Sequence, residues 1–198
     1  MSERLIHRRG FVASALAFTP ALALAAGAKP RVSIDTGRGT IVIELEADRA
    51  PLTSANFLRY VDARRYDGGS FYRASRDPRG GSIEAGPNPV ARRFPPIAHE
   101  STTRTGLRHK AGTVSLARNE PGSGTADFFI CASAEPYLDA HPSAHGDNLG
   151  YAVFGEVVQG MDVVRAILAM HTSKTAEIAA MKGQMLAPPV AIKAMKRL

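Results

Sequence analysis

Gly112-Thr113-Val114-Ser115-Leu116-Ala117-Arg118-Asn119 and Ala126-Asp127-Phe128-Phe129-Ile130-Cys131 are two apolar runs separated by Glu120 to Thr125, a stretch rich in Pro, Gly, Ser and Thr. β-Branched and aromatic residues bounded by turn formers predict two strands joined as a hairpin. Successive strand side chains point to opposite faces, so Phe128 and Phe129 cannot share one face. Either the strand is buried on both sides, as happens in closed sheets, or one phenylalanine floors a pocket. The hairpin alone leaves both readings open.

The segments around it are mostly short strands. Arg31 to Thr36 alternates with period two, Gly37-Arg38-Gly39 turns the chain, and Thr40 to Leu45 resumes the alternation, which predicts an opening hairpin. Ala50-Pro51 starts a helix, with proline where a missing N–H is harmless. Phe57, Leu58 and Val61 then fall at helical spacing. Ser70 to Ala74 reads as a strand. Ser75 to Pro96 reads as a long loop with one short strand near Ser82 to Ala85, and Pro136 to Asn148 as a second loop. Tyr151 to Val158 is a strand, Gly160 precedes a helix from Met161 to about Met170, a helical piece is possible near Thr175 to Met181, and Val190 to Met195 closes the chain as a strand. Many short strands with two separated helices point to a mainly β architecture, a barrel or sandwich with helical caps, rather than alternating βαβ units.

The 198 residues fit one domain, and 44% hydrophobic with 22% charged content fits a real core. The net charge of +7 comes from scattered Lys and Arg without a dense run, which argues for solubility charge and against nucleic acid. The single cysteine, Cys131, lies in an apolar strand and reads as a small buried hydrophobe. His141, His145 and Asp147 have metal-ligand chemistry, but no fourth ligand stands near them, so no metal or other cofactor is expected. Ser75 and Ser115 lack a nucleophile-elbow context.

Residues 1–28 read differently. Arg4, Arg8 and Arg9 precede an apolar, Ala- and Leu-rich run from Phe11 to Ala26, and small residues follow at cleavage-like spacing. That is the order of a secretory signal. Arg8-Arg9-Gly10-Phe11-Val12 adds a twin-arginine-like pattern. The apolar run is short for a membrane span and is broken by Thr19-Pro20, which favours cleavage over anchoring. Removing the segment takes away three arginines and one acid and lowers the net charge from +7 to +5. The expected location is the periplasm or outside the cell, with residues 29–198 as the working domain.

In order, Ala50-Pro51-Leu52-Thr53-Ser54-Ala55-Asn56-Phe57, Phe71-Tyr72-Arg73, Gly112 to Ala117 with Phe128-Phe129-Ile130-Cys131, Tyr137-Leu138-Asp139, and Val153 to Met161 resemble the landmarks of the cyclophilin-type peptidyl-prolyl cis/trans isomerases. The resemblance runs from Arg31 to the C-terminus. It implies a closed eight-stranded antiparallel β-barrel capped by two α-helices, and rotation of X–Pro bonds in unfolded or exported polypeptides, without a cofactor. It implies that Arg73 is the catalytic arginine, that Phe129 floors the proline pocket and Leu138 walls it, that Ile83 lines it, and that Ala117 and Arg118 run beside the substrate. A pocket glutamine falls at Ala85 in this alignment. Asp127 replaces another glutamine and is expected near Arg73, Tyr151 replaces a pocket histidine, and Tyr137 replaces the tryptophan tied to cyclosporin binding. These departures keep a second reading in view, a proline-peptide-binding module with reduced turnover. A monomer with proline-containing polypeptides as partners is expected.

Overall fold

The computed structural model describes residues 28–87 and 93–198; the leader-like segment falls outside the described residues. Eight strands close into a barrel: β1 (Arg31–Thr36), β2 (Gly39–Leu45), β3 (Ser70–Ser75), β4 (Ser82–Gly86), β5 (Thr113–Leu116), β6 (Phe128–Cys131), β7 (Ala152–Gln159) and β8 (Met185–Arg197). The order around the barrel is β1-β2-β7-β5-β6-β4-β3-β8, and every neighbouring pair is antiparallel. Closure leaves no open strand edge within the barrel among the described residues, so another chain can pair only beyond a strand's end.

The barrel interior follows from the strand alternation. Val32, Ile34, Ile43, Phe71, Ile83, Val114, Phe128 and Ile130 all point inward and are buried. Helix α1 (Pro51–Asp62) closes one end. Its Phe57 meets Tyr66, Phe128 and Phe154 at ring-centroid distances of 5.3, 5.4 and 5.1 Å. The first turn of α1 has no cap from its own sequence. Instead the buried carboxylate of Glu100 accepts hydrogen bonds from the backbone N–H of Leu52 and Thr53 at 3.2 and 2.8 Å, satisfying donors that a helix start leaves open. A short helical turn, α2 (Thr102–Thr105), follows that glutamate, and α3 (Met161–Leu168) covers the other end with Val164, Ile167 and Leu168. Gly160 precedes α3 at φ 92°, where an added Cβ would lie 2.4 Å from the Thr40 carbonyl, so glycine is required on both counts. The expected helical piece near Thr175 is only a 3-10 turn, Ala179–Met181, and β8 starts at Met185 rather than Val190.

A buried polar chain lies behind β6. The Nδ1 of His109 is 2.7 Å from Asp139 Oδ1, its Nε2 is 3.1 Å from Ser115 Oγ, and its backbone N–H donates to the same Oδ1 at 3.0 Å. The network assigns Nδ1–H as donor to the carboxylate and Nε2 as acceptor from the hydroxyl. These residue types are those of a hydrolase triad, but Ser115 is fully buried, so here they satisfy one another inside the wall. The His109 ring stacks on Phe129 at 5.9 Å and 10°. The thiol of Cys131, on the same strand, is pushed up to about 12 by burial and is inert at neutral pH.

Candidate functional site

The outer faces of β3, β4 and β6, with the segments Ala117–Thr125 and Pro136–Leu138, enclose a cleft of about 690 Å³. Phe129 lies in its floor, and Tyr151 meets the Phe129 ring edge-on at 5.4 Å and 88°. Leu138 and the exposed Tyr137 form another side. Phe129, Leu138, Tyr137 and Tyr151 give the cleft an apolar side, and polar groups converge on its other edge.

The polar edge is built by a bulge. Against β4 the pairing of β3 passes from Phe71–Ala85 to Arg73–Glu84, so Tyr72 is an extra residue there; against β8 it passes from Phe71–Val190 to Arg73–Met185, so the extra residues lie on β8. Tyr72 and Arg73 both reach the cleft. Arg73 is held at two points. Its Nη1 donates to Glu84 Oε2 at 2.9 Å, and its Nε donates to Gln184 Oε1 at 2.8 Å. Its Nη2 has no partner among the described residues. The Tyr72 hydroxyl donates to Glu84 Oε1 at 2.8 Å and lies 3.3 Å from Asp127 Oδ1. Burial first, then these two carboxylates, hold the Tyr72 phenol far above its usual range. Asp127 in turn accepts from Arg93, and that contact raises the Arg93 guanidinium above its ordinary value. Gly86 makes room for this carboxylate: a Cβ there would meet Asp127 Oδ1 at 1.9 Å. Glu84 and Asp127, the carboxylates on this edge, therefore each have a basic partner, and Arg73 Nη2 is a donor left for chemistry beside the Phe129 floor.

A family model described as "Cyclophilin type peptidyl-prolyl cis-trans isomerase/CLD" matches residues 31–196. The chain belongs to the cyclophilin family. Peptidyl-prolyl cis-trans isomerase A of Dickeya dadantii is 36% identical over 176 residues, covering 87% of this chain and 87% of that protein. Peptidyl-prolyl cis-trans isomerase B of Escherichia coli is 37% identical over 150 residues, covering 73% of this chain and 87% of that protein. A crystal structure of a cyclophilin type peptidyl-prolyl cis-trans isomerase of Cryptosporidium parvum matches with a TM-score of 0.66 at 20% identity, over 86% of this chain and 98% of that one, and shares the barrel.

In this cyclophilin the structure brings Arg73, Phe129, Leu138, Ala117, Arg118, Asp127, Tyr137 and Tyr151 to one cleft. It does not bring Ile83 or Ala85 there. Both are 0% exposed and belong to the barrel core. Strand alternation gives the reason: on β4 the residues facing the cleft are Ser82 and Glu84. The register that put Ala85 beside the arginine was one residue off, and Glu84, paired across the ladder with Arg73, supports it instead. Asp127 shares the cleft with Arg73 but does not hold it. It is bonded to Arg93 and Tyr72, while Arg73 is bonded to Glu84 and Gln184.

The Arg118 guanidinium is turned away from a substrate. Its Nη1 and Nη2 form a bidentate pair with Asp147 at 2.6 and 2.9 Å, and its Nε donates to the Gly150 carbonyl at 2.9 Å. With its side chain 5% exposed, what remains for a substrate is backbone. The Ala117 N–H donates to the Asp127 carbonyl at 2.8 Å, so its carbonyl is the group open to an incoming strand. Asp147, weighed above as a metal ligand, serves as this arginine's partner.

Glu84, Tyr72, Arg93 and Gln184 were not picked out from the sequence. Glu84 was legible: Ile83 and Ala85 are the apolar members of an alternating Ser82–Gly86 strand. Gln184 lies 111 residues from Arg73 and carries no local signal.

Replacing Glu84 by glutamine keeps the shape and one oxygen to accept from Arg73, while its NH2 can only donate to the Tyr72 hydroxyl, and it removes a negative charge 2.9 Å from the guanidinium. The field that Nη2 projects into the cleft should rise. The expected result is an increase in kcat/KM for an X–Pro peptide of about three- to tenfold, read from exchange rates at equal enzyme concentration. An unchanged or lower rate would mean that the carboxylate does not temper Arg73.

Proposed function

We propose that this chain is an exported peptidyl-prolyl cis/trans isomerase with Arg73 as its catalytic residue. The observation that carries the reading is a guanidinium anchored by Glu84 and Gln184 on the rim of a Phe129-floored cleft, with Nη2 left open.

The chemistry follows from the amide. Its partial double bond sets a barrier of roughly 18–20 kcal/mol, and uncatalysed X–Pro exchange takes roughly tens to hundreds of seconds. When the bond twists, the proline nitrogen recovers its lone pair and becomes an acceptor. A donor that reaches it then, and finds no acceptor there in the planar ground state, lowers the barrier selectively. Arg73 Nη2 is such a donor. Phe129, Leu138 and Tyr151 grip the ring and exclude water, and the Ala117 carbonyl holds the chain before the proline as an added strand. The step needs no nucleophile and no group beyond the chain's own residues. The test is cis/trans exchange of a proline peptide by NMR with and without micromolar protein. Acceleration supports the reading; binding without acceleration sinks it.

The second reading, a proline-peptide binder with low turnover, is favoured by one feature, the carboxylate of Glu84 on Arg73. The exchange measurement on the unmodified chain separates the two, since a binder holds the peptide at micromolar protein without accelerating exchange; the glutamine substitution then tests whether the Glu84 charge is what holds turnover down.

Export rests on Arg8-Arg9 followed by the apolar run to Ala26. Residues 1–28 fused to a reporter are expected to carry it across the inner membrane in wild-type bacteria and to fail in cells lacking the twin-arginine pathway. Transport in both strains would leave export standing and remove the twin-arginine route.

A further inference from the structure

The geometry points to a second, apolar subsite beside the cleft that takes the second and third residues after the proline of a client chain. This inference rests on the isomerase reading and adds a preference to it. Between α3 and β8, Ala176, Ile178, Met181 and Met185 line a groove of about 740 Å³ together with the polar Ser173, Thr175 and Glu177. Ile178 is 58% exposed and shares the groove with Met181 and Met185, so the apolar surface there is a cluster and not one scattered side chain.

The groove is built, not a loose loop. Ser173 N–H donates to the Met185 carbonyl at 2.7 Å, Gly183 N–H to Ser173 at 3.1 Å, Met181 N–H to Ile178 at 2.9 Å and Gln184 N–H to Met181 at 3.0 Å. The same segment supplies Gln184, which holds the Arg73 guanidinium. Met181 lines both the groove and the cleft, so the two lie side by side.

The order of strands gives the direction. From Ala117 at the end of β5, the barrel runs through β6 (Phe129), β4 (Glu84), β3 (Arg73) and β8 (Met185). A client whose residues before the proline lie along Ala117, and whose ring rests on Phe129, leaves across Arg73 toward Met185. Met185 is the register partner of Arg73 on the next strand, about 5 Å away, a step an extended chain covers in about two residues. The side chains that arrive there meet methionine and isoleucine. Methionine adapts to varied apolar shapes, so the subsite selects for apolar character rather than for one residue.

The experiment compares two peptides, Ala-Ala-Pro-Ala-Leu-Leu and Ala-Ala-Pro-Ala-Ser-Ser, by NMR exchange on the full mature chain and on Ile178→Ser. Ile178 lies outside the cleft and is exposed, so the variant folds as the parent does. Wild type is expected to favour the leucine peptide about fivefold in kcat/KM, the effect of half-burying one such side chain. Ile178→Ser should bring the ratio below about twofold with the serine-peptide rate unchanged, and Ile178→Leu should retain it. Equal wild-type rates on both peptides overturn the subsite and leave the isomerase reading intact. Acceleration of neither peptide overturns both. A ratio untouched by Ile178→Ser overturns the subsite, as does a concentration-dependent dimer that Ile178→Ser dissociates, since the groove would then be a contact between copies.

Discussion

Arg73→Ala is expected to lower kcat/KM for an X–Pro peptide by about two to three orders of magnitude while peptide affinity changes little. The asymmetry is the point. Nη2 has nothing to bond in the planar ground state and gains a partner only as the prolyl nitrogen pyramidalises, so its loss should fall on the rate and not on binding. The alanine variant also leaves the Glu84 carboxylate without its ion pair. That orphaned charge could loosen β3 and β4 and lower activity for a structural reason. The double variant Arg73→Ala with Glu84→Gln removes the charge along with its partner and separates the two effects. It should be as inactive as the single variant and more stable to urea. Arg73→Lys should rescue little, because one ammonium cannot reach Glu84, Gln184 and the substrate in the geometry that a planar fork provides. Full activity in Arg73→Ala would remove Arg73 from the mechanism, and equal losses in rate and affinity would make it a binding group.

How much of this could be read before folding depends on range. The central hairpin was legible because its signals are local: β-branched and aromatic residues, a turn-rich break, and two adjacent phenylalanines that must part. Phe128 does enter the core, and Phe129 does floor the cleft. The strand around Ser82 was also found, but its facing was not. An alignment through a loop of uncertain length can slip by one, and in a strand a slip of one exchanges inside for outside. The alternation of Ile83 and Ala85 was the better guide and pointed to Glu84. The bulge at Tyr72 left no comparable trace, since it is a property of how β3 pairs with β4 and not of one segment. Contacts such as Gln184 on Arg73 and Glu100 on the start of α1 join residues 111 and 47 to 48 positions apart. Nothing in a local pattern brings them together; the closing of the barrel does.

The second large effect concerns the wall behind Phe129. Asp139→Ala is expected to cost about 3 kcal/mol of stability, because it strips two buried donors, the His109 ring N–H and backbone N–H, of one shared acceptor. Asp139→Asn keeps an oxygen in place and should cost less than half as much. The same chain makes stability depend on pH. Burial holds the folded His109 below its ordinary value of 6.5, outweighing the pull of Asp139 toward the charged form. Above that value both folded and unfolded states are neutral at this site, so it adds no pH dependence. As pH falls through 6.5 the unfolded chain takes up a proton that the folded chain refuses, and stability declines, by at most about 1.4 kcal/mol per pH unit. The decline from this site ends once the folded imidazole is itself protonated. Carboxylates held low in the folded state, such as Glu46, whose burial is outweighed by its bonds to Lys29 and Arg49, lose their contribution further down, from the ordinary carboxylate value of 4.5 downward. The interval just under pH 6.5 therefore reports on His109. Urea unfolding at pH 7.5 and 5.5 should show a loss in wild type that is much smaller in His109→Gln. An equal loss in both would place the acid sensitivity elsewhere. Because the His109 ring stacks on Phe129, its protonation also loosens the floor against which the proline ring is gripped. The folded ring takes up that proton only below the interval just named, so peptide affinity should hold there and weaken at lower pH.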